Sequence, residues 1–362
     1  MRLEEYQRLQ TSGARGVELF TIDHHFYLAI PQLAEDDLNQ VANMNGGNSE
    51  IDALIYRWAD NKFVEFQRIP AHGCEHIHFA YLAGQPVLAL ANIRSGKAPN
   101  FNMHTCSGIY SWNGAQFSLL QPIPTYAAKS CCLFKIENSY YLAFSEGVLQ
   151  TTSQSLISAN SHLYRWHGNA FIQYQNLPSQ WGYDIETFCI HDRIFLCLAD
   201  NITSSVIYEW KDNQFAPFQT FADCGGGRQF KYFSVGGHHW IAFANLLHES
   251  VIYHWDGHQF IHLQTLDGAG ARHFHFLAVG DQVFLIRVNF ISGTRERPNT
   301  LQHSWVYRWN GHQFNQVISF PTYGGTAAKT FTYNNEYYLV VSNSLSKDVR
   351  FRVDSIVYKF NF

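Results

Sequence analysis

The stretch VYRWNGHQF (Val306–Phe314) is one member of a set. IYRWADNKF (Ile55–Phe63), IYSWNGAQF (Ile109–Phe117), LYRWHGNAF (Leu163–Phe171), IYEWKDNQF (Ile207–Phe215) and IYHWDGHQF (Ile252–Phe260) repeat its pattern, and VYKFNF (Val357–Phe362) begins a seventh copy. Each copy is an alternating apolar run, a turn of the Asn-Gly or Asp-Asn kind, and a second apolar strand. Such a turn flanked by period-two alternation is the strongest local signal of a β-hairpin, and it puts both central residues at positive φ. Asp-Asn, used in the first and fourth copies, tolerates that region almost as well as Gly. Seven copies in 362 residues, a period of roughly 50, restrict the chain to one propeller or solenoid array.

A second repeated pair lies between the hairpins. FLAVGDQVFLIRVN (Phe276–Asn289) is a strand, a tight Gly-Asp turn and a strand; its second strand recurs as FYLAIP, VLALAN, YLAFSE, FLCLAD, WIAFAN and YLVVSN. Each repeat therefore supplies four strands, A to D, and a composition of 16% aromatic and 15% charged residues agrees with an all-β chain. The expected fold is a seven-bladed β-propeller of four-stranded antiparallel blades, a single domain over residues 1–362, since radial closure leaves few unprotected edges.

The two ends test closure. The phenylalanine opening D falls five residues after the Trp, and a glutamine falls nine after it: Gln67, Gln121, Gln175, Gln219 and Gln264, with Ile318 in the sixth repeat. In the seventh, Phe360 holds the Trp position and the chain stops two residues later; resuming the count at Met1 puts Leu3 and Gln7 in the two places. The last blade is thus expected to take strand C from the C-terminal segment and strand D from LEEYQRL at the N-terminus.

The patterns xYRWNGxxFxxxQxIPT and xxFxIxxxxYLAxAN resemble the EAR (EPTP, epilepsy-associated) repeat family over essentially the whole chain. Ile318, Phe360 and several lost Pro-Thr pairs are the departures. The resemblance implies a seven-bladed propeller serving as a protein-recognition platform, in a family known chiefly from secreted and cell-surface animal proteins.

A net charge of −4 implies neither a nucleic-acid nor a membrane partner. MRLEEYQRLQ lacks the basic end and apolar run of a signal peptide, and no apolar segment reaches transmembrane length, so a cytoplasmic location is expected. The seven cysteines (Cys74, Cys106, Cys131, Cys132, Cys189, Cys197, Cys224) are odd in number and form no C-x-x-C pair, which fits reduced thiols. No motif requires a cofactor. The glycines of Asp223–Arg228 and Leu266–Arg272 precede strands rather than helices, and G-x-S-x-G is absent. Oligomeric state is left open.

Strand order places the A–B and C–D turns on one face and the B–C and D–A connections on the other. Long B–C loops are expected at Pro31–Asp52, Asn92–Gly108, Glu146–Ser161 and Asn289–Ser304, building an asymmetric wall for a small-molecule or protein partner. With A innermost, two columns of residues ring the channel: Glu18, His78, Cys132, Glu186, Lys231, His275 and Lys329, then Gly16, His76, Ser130, Asp184, Gln229, His273 and Ala327. Glu18, Glu186, His78 and His275 are candidates for general acid–base work. His76/His78 and His273/His275 have the spacing of strand-borne metal ligands. Lys231, Lys329, Arg228 and Arg272, with Arg15 beside them, are candidate ligand contacts, and Trp181 and Tyr183 could stack a ligand or cover the core. The competing account is a solvated channel lining.

Arg287 stands where the other blades have Ile30, Leu90, Phe144, Leu198, Phe243 and Val341. A buried charge needs a partner, so it should reach a carboxylate or anionic ligand, or else be satisfied by carbonyls at the rim. The Trp column should pack between blades, and the Gln column should satisfy strand-end backbone groups. Two functions stand: recognition of a ligand or protein through the long-loop face and channel mouth, or an intracellular enzyme. The enzyme would act on an apolar or aromatic small molecule, by cyclisation or alkylation, with Glu/His acid–base pairs and Arg/Lys stabilisation. Convergence of His78, His275, Glu18 and Arg287 on one point would favour the enzyme.

Overall fold

The computed structural model describes residues 1–148, 159–221, 225–294 and 296–362, so Cys224 and most of the Glu146–Ser161 loop lie outside the described residues. No helix occurs among the described residues. Seven antiparallel sheets of four strands stand around a central channel. Blade one is Glu18–Ile22, His25–Ile30, Ala53–Ala59 and Lys62–Ile69 from the inside outward. The inner A strands of the next six begin at Cys74, Ser130, Gly182, Gly227, Ala271 and Gly325.

Blade seven closes the ring as expected. Gly325–Tyr333, Glu336–Asn343 and Ser355–Asn361 supply its first three strands, and Arg2–Leu9 is the fourth. Leu3 lies opposite Phe360 and Leu9 opposite Ser355 in an antiparallel ladder. The two ends of the chain are thereby hydrogen-bonded to each other.

Adjacent blades share no strand ladder; loop backbone bonds such as Ala98 N–H to the Gly47 carbonyl link some of them, and side chains link them along the sheets. The Gln column does this. Gln67 donates to the Phe117 carbonyl at 2.8 Å and accepts from its N–H at 2.9 Å, which fully pairs the first residue of the next D strand. Gln121 grips Phe171, Gln175 grips Phe215, Gln219 grips Phe260 and Gln264 grips Phe314 in the same two-bond way. Gln7, on the N-terminal strand, grips Phe63 of blade one and completes the seam. Every C–D pair carries a register shift beside this position, and such a bulge re-aims the side chains next to it. At Ile318 the bond is replaced by packing against Leu3 within an apolar cluster.

Apolar wedges fill the space between sheets. Trp58 packs on Phe331 and Tyr338 of blade seven, Trp112 on Tyr27 and Phe66 of blade one, and Trp255 on Phe195 and Phe218 of blade four. Each tryptophan therefore leans on the preceding blade, and each ring pair adds about 0.5–1.5 kcal/mol beyond its buried area.

The hairpin turns correct one expectation. Asp60-Asn61 and Asp212-Asn213 do put both residues at positive φ. In the Asn-Gly copies only the glycine does so, as at Gly114 (φ 96°) and Gly311 (φ 99°). There the Asn113 side chain accepts from the N–H of Ala115 and Gln116, stabilising a longer turn than the two-residue form.

Gln121→Ala would leave both backbone groups of Phe171 without their partner and is expected to cost about 1–3 kcal/mol. Urea unfolding should show this against Gln173→Ala, an exposed change on the outer strand of the next blade expected to stay within about 0.5 kcal/mol. Equal midpoints for the two variants would remove the glutamine grip as a determinant of stability.

Candidate functional site

The face bearing the B–C loops is knitted into a wall. Asp36 of the blade-one loop accepts from the N–H of Phe351 and Arg352, at 3.0 Å each. Arg350 reaches back to the carbonyls of Asp37 and Gln40. Arg94 of blade two bonds Ser49 and the carbonyls of Asn45 and Gly46 while lying 3.7 Å over the Phe101 ring. These three loops enclose a cavity of about 330 Å³, and Leu38 (82% exposed) and Val41 (91% exposed) stand on the same blade-one loop. The blade-seven connection Ser344–Asp354 was absent from the expected wall. Its length is ordinary, and only its contacts reveal its part.

Deeper in the channel the two residue columns are found where expected, on the inner strands, but their side chains point along the ring. His76 Nδ1 meets the Cys131 N–H at 3.3 Å and His78 Nε2 the Leu133 carbonyl at 3.2 Å, both on blade three. His273 reaches the Ala328 N–H at 3.5 Å and His275 the Thr330 hydroxyl at 2.8 Å, both on blade seven. Ser130 joins Asp184, Gln229 joins Phe274, Lys231 joins Glu186, and Lys329 joins Glu18, whose other oxygen accepts from Phe79. Every one of the seven interfaces thus has an inner-strand stitch.

This geometry revises several expectations. The His-x-His pairs spend a ring nitrogen on the next blade, and no group of three or more metal-ligating side chains occurs among the described residues. Burial outweighs the nearby Glu18 and holds His76 at about 3, and burial with Lys231 and Lys329 holds His275 at about 3. Burial alone would raise Glu18, but Lys329 and His78 overturn it and keep the carboxylate below its ordinary range. A carboxylate held as an anion is a poor proton donor at neutral pH.

Arg287 takes the second of its two expected courses. It is 1% exposed, and its five N–H donors meet Asn289 and the carbonyls of Leu266, Asp267, Gly268 and Ala269. It ties down the D–A loop between blades five and six and does not converge with His78, His275 and Glu18.

The channel mouth is built from another column: Arg15, Glu75, Lys129, Tyr183, Arg228, Arg272 and Thr326 all line a cavity of about 70 Å³. Arg272 donates to Glu75 at 3.0 Å and to the Tyr183 hydroxyl at 2.7 Å. Arg15 approaches Glu75 at 3.3 Å, and Arg228 lies 4.0 Å over the Tyr183 ring. Lys129 bonds the carbonyls of Ala127 and Gly147, with its ammonium 5.7 Å from the Trp181 ring. Tyr183 is therefore a mouth residue clasped by two guanidiniums, while Trp181 backs Lys129.

Strict alternation turns Glu75 away from the channel, and Lys129 lies just ahead of the inner strand of blade three, so neither is in the expected columns. A register shift in five A strands, between Cys74/His76, Gly182/Asp184, Gly227/Gln229, Ala271/His273 and Gly325/Ala327, leaves the intervening residue unpaired. Those residues are Glu75, Tyr183, Arg228, Arg272 and Thr326. The bulge turns them into the mouth. Charges recurring in one column ahead of each inner strand were the available signal.

Fold and site together define a seven-bladed β-propeller closed by its own N-terminal strand, with one walled face and a charged channel mouth. The chain belongs to the EPTP domain family, matching it over residues 2–59, 116–167, 170–211, 214–256, 259–310 and 313–361. It is similar to the thrombospondin-type laminin G domain and EAR repeat-containing protein. Identity is 32% with the Homo sapiens protein, over 97% of this chain and 53% of the relative. With the Mus musculus protein it is 26%, over 94% and 51%. The leucine-rich repeat LGI family member 3 of Macaca fascicularis is 25% identical over 61% of this chain and 35% of its own length. The chain spans about half the length of the first two relatives. The β-propeller domain of Myceliophteria thermophila Cps50 (Swd1) superposes with a TM-score of 0.61 at 10% identity, covering 99% of this chain and all of that one, a likeness of fold alone.

The neutral ring histidines make stability depend on pH. Burial lowers His76, His78, His273 and His275 below the ordinary 6.5, so the unfolded chain binds protons that the native ring refuses. Stability is therefore present above pH 6.5 and falls as pH drops below it toward the lowered native values. Asp184, pushed up to about 7 by burial and Glu186, gains its proton in the native state and offsets one of them. Urea midpoints should drop between pH 7 and pH 5.5, and less steeply in a His76→Gln/His275→Gln variant. A wild-type midpoint that stays level would mean that the imidazoles ionise inside the fold.

Proposed function

We propose that this propeller is a recognition module that presents its B–C face to a polypeptide partner. The observation that carries the reading is the wall formed by the loops of blades one, two and seven. Backbone and arginine hydrogen bonds fix it beside the channel mouth, yet it leaves Leu38 and Val41 in solvent. The opposite face has only short turns, such as Asp60-Asn61 and Gly236-Gly237. A fixed scaffold carrying exposed apolar side chains over a cavity is suited to burying a partner's surface. Membership of the EPTP family supports the same reading, because the repeat resemblance implies a protein-recognition platform. The ring carboxylates and imidazoles are engaged between blades, which favours recognition over acid–base chemistry in the channel.

A cytoplasmic location is part of the proposal. It draws support from the six described cysteines, all free, with Cys106 and Cys189 exposed, as a reducing compartment tolerates. Rapid alkylation of intact cells should label those two thiols fully; an oxidised fraction would move the protein to another compartment.

Photo-crosslinking amino acids at Leu38, Val41 and Val235 test the main reading in the native host. Val235 ends the inner strand of blade five and is 37% exposed on the turn face. Adducts with a second polypeptide are expected from positions 38 and 41 and not from 235. Equal yields from the two faces, or none from the wall, would sink the assignment.

A further inference from the structure

The wall cavity of about 330 Å³ is held open by contacts that spare its polar side chains. Arg350 donates to the carbonyls of Asp37 and Gln40, and Arg94 to those of Asn45 and Gly46, so backbone atoms fix the blade-one loop. The Ala98 N–H of blade two meets the Gly47 carbonyl at 2.9 Å. Gly47 has a φ of +77°, and a Cβ there would meet the Glu35 carbonyl at 2.5 Å and the Phe351 ring at 2.8 Å. Glycine alone lets the chain pass so closely at that point. Among the described residues the side-chain amides of Gln40 and Asn45 enter no hydrogen bond, since only their backbone atoms are used. Asp36 accepts one backbone N–H on each oxygen and Asp37 one from Asn39, which leaves acceptor capacity on both carboxylates. Phe101 lines the same cavity, with the Arg94 guanidinium 3.7 Å over its ring.

This lining sorts ligands by charge and shape. Asp36 and Asp37 repel an anion, and the Arg350 guanidinium opposes a simple cation. A wholly apolar ligand would strip water from these groups and return no hydrogen bond. What matches is a neutral molecule rich in hydroxyls that also has a C–H face. Each hydroxyl donates and accepts at once, as carboxylates, amides and a guanidinium in one cavity require. Neighbouring hydroxyls on a ring suit the paired atoms of such planar groups, and the C–H face suits an aromatic ring. The volume stands at the lower end of the roughly 300–1,000 Å³ typical of small-molecule sites, which fits one or two sugar rings.

We propose that the wall cavity binds a neutral pyranose sugar, with Asp36, Asp37, Gln40, Asn45 and Arg350 on its hydroxyls and Phe101 against its C–H face. The ring is either a free sugar or the terminal unit of a glycoconjugate. The site goes beyond the polypeptide reading above and does not rest on it. Crosslinks from positions 38 and 41 can fail while the sugar still binds, and sugar binding can fail while the crosslinks stand.

Saturation-transfer NMR titration of the intact protein with glucose, galactose, mannose and N-acetylglucosamine, taken singly, tests the site. Glucitol, an open-chain polyol with no ring face, is the blank. At least one of the four sugars is expected to give a saturable response, and glucitol none. Gln40→Ala and Asn45→Ala are each expected to weaken that binding about two- to tenfold, the equivalent of one hydrogen bond. Their urea midpoints should match wild type, because neither amide serves the fold, and Gln173→Ala, outside the wall, should keep full affinity. No saturable response to any of the four sugars, an equal response to glucitol, or affinity unchanged in both wall variants would overturn the proposal. The methyl glycosides of the preferred sugar separate the sources. Binding kept by one anomer identifies a conjugated unit, and binding lost with both identifies a free sugar held by its anomeric hydroxyl.

Discussion

Seven separate sheets share no strand ladder, so beyond a few loop backbone bonds this ring depends on side chains that reach across to the next blade. Two such sets are present. At the periphery a glutamine on each D strand but the sixth grips the following blade's phenylalanine through both amide groups. Around the channel, side chains of the inner strands cross to the neighbouring blade from the opposite edge of the sheet, His76 to backbone, His275 to a hydroxyl and two lysines to carboxylates. Between them lie the aromatic wedges, set among buried aliphatic side chains. Each blade interface but that between blades six and seven, where Ile318 stands, is thus clamped at both edges and filled in the middle, and the repeat sequence encodes all three layers at once.

The division explains what could be read from the chain. The hairpin copies, the four-strand unit and the closure counted through Phe360, Leu3 and Gln7 follow from local chemistry at fixed spacing, and the structure reproduces them. The inner-strand columns were placed correctly on the channel, but spacing along a strand does not say whether a side chain crosses the channel or lies along its wall. His76, His78, His273 and His275 lie along it. Parity failed at the mouth for a definite reason. One unpaired residue per bulge reverses inward and outward, and no local pattern at Glu75 or Arg272 announces it. Arg287 shows a third limit, because its acceptors are carbonyls of residues 266–269, brought near only by the blade stacking.

Polarity in the channel therefore has two meanings at two depths. Lower down, donors and acceptors are matched within the ring and serve the architecture. At the rim charged side chains of both signs, among them Arg15 and Arg272 on Glu75, line a cavity. Propellers of the same outline can accept quite different partners by altering that rim and the B–C loops, while the stitched levels beneath stay as they are.

The clasp also sets a timetable for synthesis. Within the propeller Arg2–Leu9 is made before any other strand, and its hydrogen-bonding neighbour, Ser355–Asn361, after all the others. Until the rest of the propeller has been made, that strand lacks its partner and is an edge of the kind that invites association with other nascent chains. Its sequence is suited to waiting. Arg2, Glu4, Glu5 and Arg8 place charges of both signs along it, with two of the apolar side chains, Leu3 and Leu9, reserved for the final docking.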